Sequence, residues 1–345
     1  MPNIKIALDA MGGDYAPKSV VDGALIELER HEDLELVLVG REEAIRKELE
    51  GKTYDEARLT IVHRDQVVEN EEHNPAEAAR RKRDSSMMTV MTMVRKKEVD
   101  GCVSAGNTGA VLAGATLLVG RVPGVLRPAL SVGFPGRTST TYMLDVGANM
   151  DAKPQYLVQF AEMTSIFCRK QLGIESPKVG LLNVGVEPGK GNALVKETYD
   201  LLSADPEINF IGNVEAREVF ETEADVLVTD GFAGNVLLKG IEGTAAYILN
   251  VVKDEIMSSF RYKMGGLLIK PAMKNVKEKL DPRNVGGTPL LGINGAVVKA
   301  HGNSKGKSFA SAIEQCLIFL KSDINTEIRE TLARRKEAEA GKEEA

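Results

Sequence analysis

The sequence predicts a mostly parallel, doubly wound α/β sheet, and three observations carry that prediction. Apolar runs of strand length recur along the chain, segments with helical spacing lie between them, and several runs end in a glycine-punctuated polar turn. Several of the runs are nearly continuous in Ile, Val and Leu, the pattern of strands covered by helices on both faces. Alternation of strand and helix then selects parallel neighbours joined by right-handed crossovers.

Taken from the N-terminus, a run at residues 4–8 leads into helical spacing over 18–29, and runs at 34–39 and 59–62 come next, with a helical segment over 75–83 after them. The run at 101–104 precedes a small-residue helix over 109–119, and runs at 129–134 and 142–145 precede a long helix over 155–172. A run at 179–183 is followed by a helix over 192–202; runs at 208–211 and 226–229 lead to a long helical stretch over 235–260. There is no internal repeat. The weak linker candidates are Arg121-Val-Pro-Gly and the loop-like stretch 282–289. One large domain over residues 1–325 is expected, with a helical projection near 255–282. A charged segment closes the chain over 326–345, reading from about Arg329 as a solvated helix that frays into a tail.

Composition narrows the function classes. The 345 residues are 43% hydrophobic and 27% charged, which fits a globular protein with a sizeable core. Only 5% are aromatic and none is Trp, so stacking surfaces for single-stranded nucleic acid are not expected. A net charge of −6 argues further against a nucleic-acid partner. Cys102, Cys168 and Cys316 stand far apart, in neither zinc nor redox spacing, and read as reduced buried thiols. The opening Met1-Pro-Asn-Ile-Lys-Ile runs straight into a strand pattern, and no apolar run approaches the ~20 residues that span a bilayer. The expected location is the cytoplasm, with peripheral contact at the inner face of the membrane at most.

Four turns carry the chemistry. Asp9-Ala-Met-Gly-Gly-Asp14 ends the first strand; Gly12 and Gly13 free its backbone, while Asp9 and Asp14 either cap the next segment or serve a site. Ser104-Ala-Gly-Asn-Thr-Gly109 opens a helix, and its exposed N–H groups with Ser104, Gly106, Asn107, Thr108 and Gly109 form a candidate phosphate cradle. The third, Asn183 to Asn192, holds Glu187 and Lys190; its Gly185–Lys190 core resembles a Walker A loop but is one residue short. Gly191 stands where the magnesium-binding Ser or Thr belongs, which speaks against an NTPase. The fourth, Asp230-Gly-Phe-Ala-Gly-Asn235, leads into a helix carrying Lys239. Asp145 and Asn149 mark a fifth polar strand end, and His301 lies in a glycine-rich polar turn, structural or functional; His31, His63 and His73 lie in charged stretches. Such turns are expected to gather on one sheet edge.

What the chain lacks is also informative. It has no dinucleotide fingerprint, nucleophile elbow, zinc-protease motif or kinase signature, and no metal or cofactor site is expected. Inorganic phosphate, partly dianionic at neutral pH, needs no Ser, Cys or strong base to act as a nucleophile. An enzyme using it has mainly to hold it against an activated acyl carbon and stabilise the oxyanion, work for which backbone N–H groups, Asn and Lys suffice.

DAMGGD, SAGNTGA, LDVGAN, GLLNVGxExxKGN and DGFxGNxxLK occur here in this order, and in that set the chain resembles the PlsX family of bacterial phosphate acyltransferases over residues 4 to about 321. The resemblance implies transfer of a long-chain acyl group from acyl carrier protein to inorganic phosphate, giving an acyl phosphate for glycerol 3-phosphate acylation. It also implies a homodimer and a fold similar to isocitrate dehydrogenase and phosphotransacetylase. On this reading phosphate sits at the 104–109 turn near Asn107, Asn183 and Lys190. Lys239 or His301 assists the thiolate or the oxyanion, and Asp9, Asp14, Asp145 and Asp230 orient the donors. Independently, residues 258–280 set Leu267, Leu268, Ile269 and Met273 among lysines, the pattern of an interfacial anchor or of a hairpin packed on a dimer mate. Basic residues there, or Arg80-Arg81-Lys82-Arg83, are candidates to receive the acidic carrier protein.

Overall fold

The computed structural model describes residues 3–72, 74–136, 140–280 and 287–343; His73 and most of the 282–289 loop lie outside them. Eleven strands among these residues form one sheet. Its first wing comprises β1 (Ile4–Asp9), β2 (Leu34–Gly40), β3 (Leu59–His63) and β4 (Gly101–Ser104), all parallel. Its second comprises β6 (Thr140–Leu144), β7 (Val179–Asn183), β8 (Phe210–Glu215) and β9 (Val226–Val228), parallel among themselves. Between them lie β5 (Ala129–Pro135), β10 (Thr288–Leu291) and β11 (Ala296–Lys299), giving the order β3-β2-β1-β4-β11-β10-β5-β6-β9-β7-β8.

The sheet is thus mostly parallel, as the patterning predicts, with three antiparallel pairings in its middle. β11–β10, β10–β5 and β5–β6 pair antiparallel, so the two wings run in opposite directions. The hairpin of β10 and β11 escapes sequence reading because each strand is only four residues long and β10 contains Pro289. Strand β8 begins two residues later than expected: the Ile208 N–H turns back to the Asp205 carbonyl, so Ile208 is buried in a turn.

Period-2 alternation feeds two cores. Ile6, Leu8, Leu34, Leu36 and Leu38 point into one apolar layer and Ala7, Val37 and Val39 into the other. The first layer is closed by helices α1 (Lys18–Arg30), α6 (Pro154–Leu172), α10 (Gly306–Lys321) and α11 (Ile324–Glu343). The second is closed mainly by α3 (Pro75–Arg81), α4 (Ser86–Arg95) and α5 (Thr108–Gly114), the last continued by a π turn through Val119. Helices α2 (Glu42–Leu49) and α7 (Ala193–Ala204) complete the shell.

The C-terminal helix packs along one stripe. Ile324, Ile328 and Leu332 recur every four residues and are buried, and Arg335 pairs with Glu162 at 2.7 Å and Asp205 at 2.5 Å. This stripe docks the helix on α6, while most residues from Arg329 to position 338 are exposed.

The hairpin also begins earlier than residue 255. Helix α8 (Gly231–Met257) buries no side chain after Leu238 and runs on into solvent, where α9 (Phe260–Leu280) returns beside it. The two approach closely at Gly266, where a Cβ would lie 2.5 Å from Ile256 Cγ2.

Candidate active site

The first two turns are built on one buried carboxylate. Asp9, 1% exposed, accepts from the Met11 N–H at 3.3 Å and from Ser104 Oγ at 2.7 Å. The same Ser104 oxygen accepts from the Gly106 N–H at 3.1 Å. Burial pushes the Asp9 carboxyl upward, against the pull of these donors. Gly12 leaves no room for a side chain: a Cβ would stand 2.5 Å from Asp9 Oδ2 and 2.8 Å from the Gly106 nitrogen. Gly13, at φ +101°, uses the left-handed region. Asp14 then donates its N–H to the Gly302 carbonyl and accepts from Asn70. Asn107 caps α5 through the Ala110 N–H and donates to the Asn70 carbonyl.

The fourth and fifth turns meet in the same manner. Asp145 is fully buried and accepts from the N–H groups of Leu130, Ala148 and Asn149 and from the Asn149 side chain; burial raises its pKa. Asp230 caps α8 through the Phe232 and Ala233 N–H groups. Gly147 packs against Asn235, and a Cβ on Gly234 would collide with the Asp145 carbonyl oxygen.

A cavity of about 630 Å³ joins these pieces. Asp14, Gly106, Asn107, Thr108, Gly109, Asn235, Lys239 and His301 of the sequence-predicted residues line it. Leu130, Val132, Tyr142, Val146, Phe167 and Leu238 supply an apolar wall. Asp9, Ser104, Asp145 and Asp230 stand behind the wall, holding the turns in place. Of the four aspartates, only Asp14 reaches it.

The third turn is not brought there. None of Asn183, Glu187, Lys190 and Asn192 lines the cavity, and Val184 beside them is 76% exposed. This turn closes on itself: Asn183 accepts from the Val184 N–H and donates to the Lys190 carbonyl, Asn213 donates to the Glu187 carbonyl, and Asn192 caps α7.

Sequence reasoning missed two charged cavity residues. Glu242, one turn beyond Lys239, is 2.7 Å from that ammonium and 3.8 Å from His301 Nε2. The imidazole and the lysine together hold its carboxyl below the usual range. Lys299 ends β11 on the cavity wall, and burial brings its ammonium down to about 8. Its signal was legible: a charged residue closing an apolar run just before the His301 turn.

Chemistry by a cysteine nucleophile is disfavoured. All three thiols are buried and pushed upward, Cys168 to about 12, far from a thiolate at neutral pH. Away from the cavity, Glu27, His31 and Glu314 place ligand atoms within 4.8 Å of one another. Arg30 at 2.9 Å from Glu27 already supplies positive charge there, and His31 lies 2.7 Å from Glu314.

Comparison with known proteins adds an independent line. A family model described as fatty acid synthesis protein matches residues 4–327. A phosphate acyltransferase of Clostridium tetani (strain Massachusetts / E88) is 46% identical over 329 residues, 95% of this chain and 98% of that protein. Another, from Dictyoglomus turgidum, is 47% identical over 330 residues, again 95% and 98%. Among solved structures, EutD phosphotransacetylase from Staphylococcus aureus superposes with a TM-score of 0.56 at 15% identity, covering 94% of each chain. A phosphotransacetylase from Streptococcus pyogenes gives 0.56 at 19% identity, over 93% of this chain and 94% of that one. The structural likeness is one of fold.

Proposed function

The chain belongs to the fatty acid synthesis protein family, with phosphate acyltransferases as its relatives, and on that footing we propose that it transfers a long-chain fatty acyl group from acyl carrier protein to inorganic phosphate. It is an acyltransferase; the proposal concerns its donor, its site and its setting. The acyl phosphate serves glycerol 3-phosphate acylation in bacterial phospholipid synthesis.

The observation that carries this reading is a single cavity with two kinds of wall. Backbone and amide groups of residues 105–109 line it together with three basic side chains, and apolar residues supply the rest of the wall. Phosphate lies against the turn, beside Asn107 and Thr108, and the acyl chain along Leu130, Val132 and Leu238. A phosphate oxygen attacks the thioester carbonyl and forms the C–O bond. The C–S bond breaks with its electron pair on sulfur, and the phosphate hydroxyl proton ends on the thiolate. Lys239 or His301 faces the oxyanion or the departing sulfur, both oriented by Glu242.

The surface supports the partners. Helix α3 sets Pro75 on the cavity wall and carries Arg80 and Arg81, with Arg83 just beyond; all three are exposed toward an acidic carrier protein. The hairpin exposes Leu267, Leu268 and Ile269, with Met273 half-buried, among Lys263, Lys270 and Lys274; no described helix is long and apolar enough to cross a membrane. That pattern supports peripheral contact of a cytoplasmic enzyme with anionic lipid. The enzyme acts as a homodimer.

The donor is tested by incubating the protein with phosphate and either palmitoyl carrier protein or acetyl-CoA. Faster phosphate-dependent thiol release from the carrier protein is expected. Faster release from acetyl-CoA overturns the assignment.

A further inference from the structure

Three basic side chains reach the cavity, and they are not equivalent. Lys239 lies 2.7 Å from Glu242, and His301 lies 3.8 Å from the same carboxylate. Lys299 has no carboxylate within ion-pair distance among the described residues; its Nζ donates to the adjacent Ala300 carbonyl. Asp9 and Asp14 act on it only at longer range, and Asp9 is already engaged by Ser104.

The backbone fixes where this charge stands. Lys299 is the register partner of Ser104 in the parallel β4–β11 ladder, and the Ala300 N–H donates to the Ser104 carbonyl at 2.9 Å. The lysine therefore sits on the strand beside the one that launches the 105–109 turn, with no helix or loop to displace it. Lys299 is half-buried at the cavity wall, and desolvating an ammonium there without a carboxylate partner costs free energy, which lowers its pKa to about 8. A methionine there would fill the same space without that cost. A charge kept in such a place points to a ligand that brings the opposite sign.

We propose that Lys299 is the fixed counter-ion of the phosphate reactant, contacting its oxygens from β11 while the 105–109 turn faces it from β4. The assignment rests on the reading of this cavity as the phosphate site. It gives to a strand-borne lysine the phosphate contact that sequence reasoning placed on Lys190. Lys299 stays protonated through acyl transfer; the phosphate oxygen supplies the electron pair, and no proton leaves the lysine.

The test compares wild type, Lys299→Met and Lys299→Arg in two assays. One is the rise in melting temperature on adding inorganic phosphate without acyl donor; the other is the KM for phosphate with palmitoyl carrier protein saturating. In phosphate-free buffer Lys299→Met should melt at or above wild type, because it removes an unpaired charge. It should lose the phosphate-induced rise and show a KM for phosphate raised roughly tenfold or more, as loss of a charge-assisted contact implies. Lys299→Arg should recover part of both. A KM and a thermal response within about twofold of wild type would overturn the assignment while leaving the cavity reading intact. A Lys299→Met protein melting well below wild type without phosphate would also overturn it, since the lysine would then hold the fold. Wild-type thiol release that ignores phosphate altogether would sink the underlying cavity reading, and this assignment with it.

Discussion

The turns at 104–109 and 183–192 read alike in sequence, each a strand end followed by Gly, Asn and a helix entrance, yet they face different worlds. The first walls the cavity and is tied to Asp9, Gly12 and Ala300 of neighbouring strands. The second closes on its own Asn183 and stands exposed. What separates them is sheet position. Strand β4 lies between β1 and β11 near the middle of the order, whereas β7 lies between β9 and the edge strand β8. Glycine and asparagine encode a tight turn; the neighbours decide whether it borders a site.

The largest contrast concerns activity. Asn107→Ala and Lys190→Ala should each lose most acyl transfer as homodimers with unchanged circular dichroism. If the third turn serves the partner's cavity, an equal mixture, allowed to exchange subunits, should recover about a quarter of wild-type activity, since half the dimers then hold one intact site of two. No recovery would mean that Lys190 acts within its own chain.

Stability separates the turns next. Gly12→Ala forces a Cβ against Asp9 and the Gly106 nitrogen and should cost about 1–3 kcal/mol in urea unfolding. Gly189→Ala in the third turn meets nothing within 4 Å and should change stability by no more than about 0.5 kcal/mol. Equal costs would erase the distinction.

The polar ties give a smaller contrast. Ser104→Ala leaves Asp9 and the Gly106 N–H short of a buried partner and should cost about 1–3 kcal/mol, together with phosphate-dependent turnover. Asn183→Ala, whose side chain is itself buried beneath the exposed turn, should cost about 1–3 kcal/mol without loss of the phosphate-induced thermal rise. Smallest of all, Leu268→Glu at an 85% exposed position should leave stability within about 0.5 kcal/mol while abolishing binding to anionic vesicles; retained binding would remove the hairpin as an anchor.

Nine strands were legible because each is an apolar run bounded by turn residues, even β4 and β9 at four and three residues. β10 and β11 were not, for four-residue strands around Pro289 carry too little periodicity to register. Helix α10 was missed as well, although Phe309, Ala312, Ile313 and Cys316 form its buried stripe. At the site, Asn107, Lys239 and His301 were readable from their glycine-rich surroundings. Glu242 was not, since it lies inside a helix and only tertiary packing brings it to the cavity, and Lys299 carried only the weak mark of a charge closing a short apolar run. The same limit explains why Lys190 looked like a cavity residue. Its distance from the cavity follows from strand order, which no local pattern encodes.

The central claim is that phosphate is held by the β4 turn and not by its look-alike on β7. A crystal structure determined with inorganic phosphate at a concentration that saturates acyl transfer tests it directly. The account predicts phosphate density in the cavity, within hydrogen-bond distance of the N–H groups of residues 105–109 and of Lys299. Density confined to the third turn, cradled by residues 184–190 with the cavity unoccupied, would contradict it.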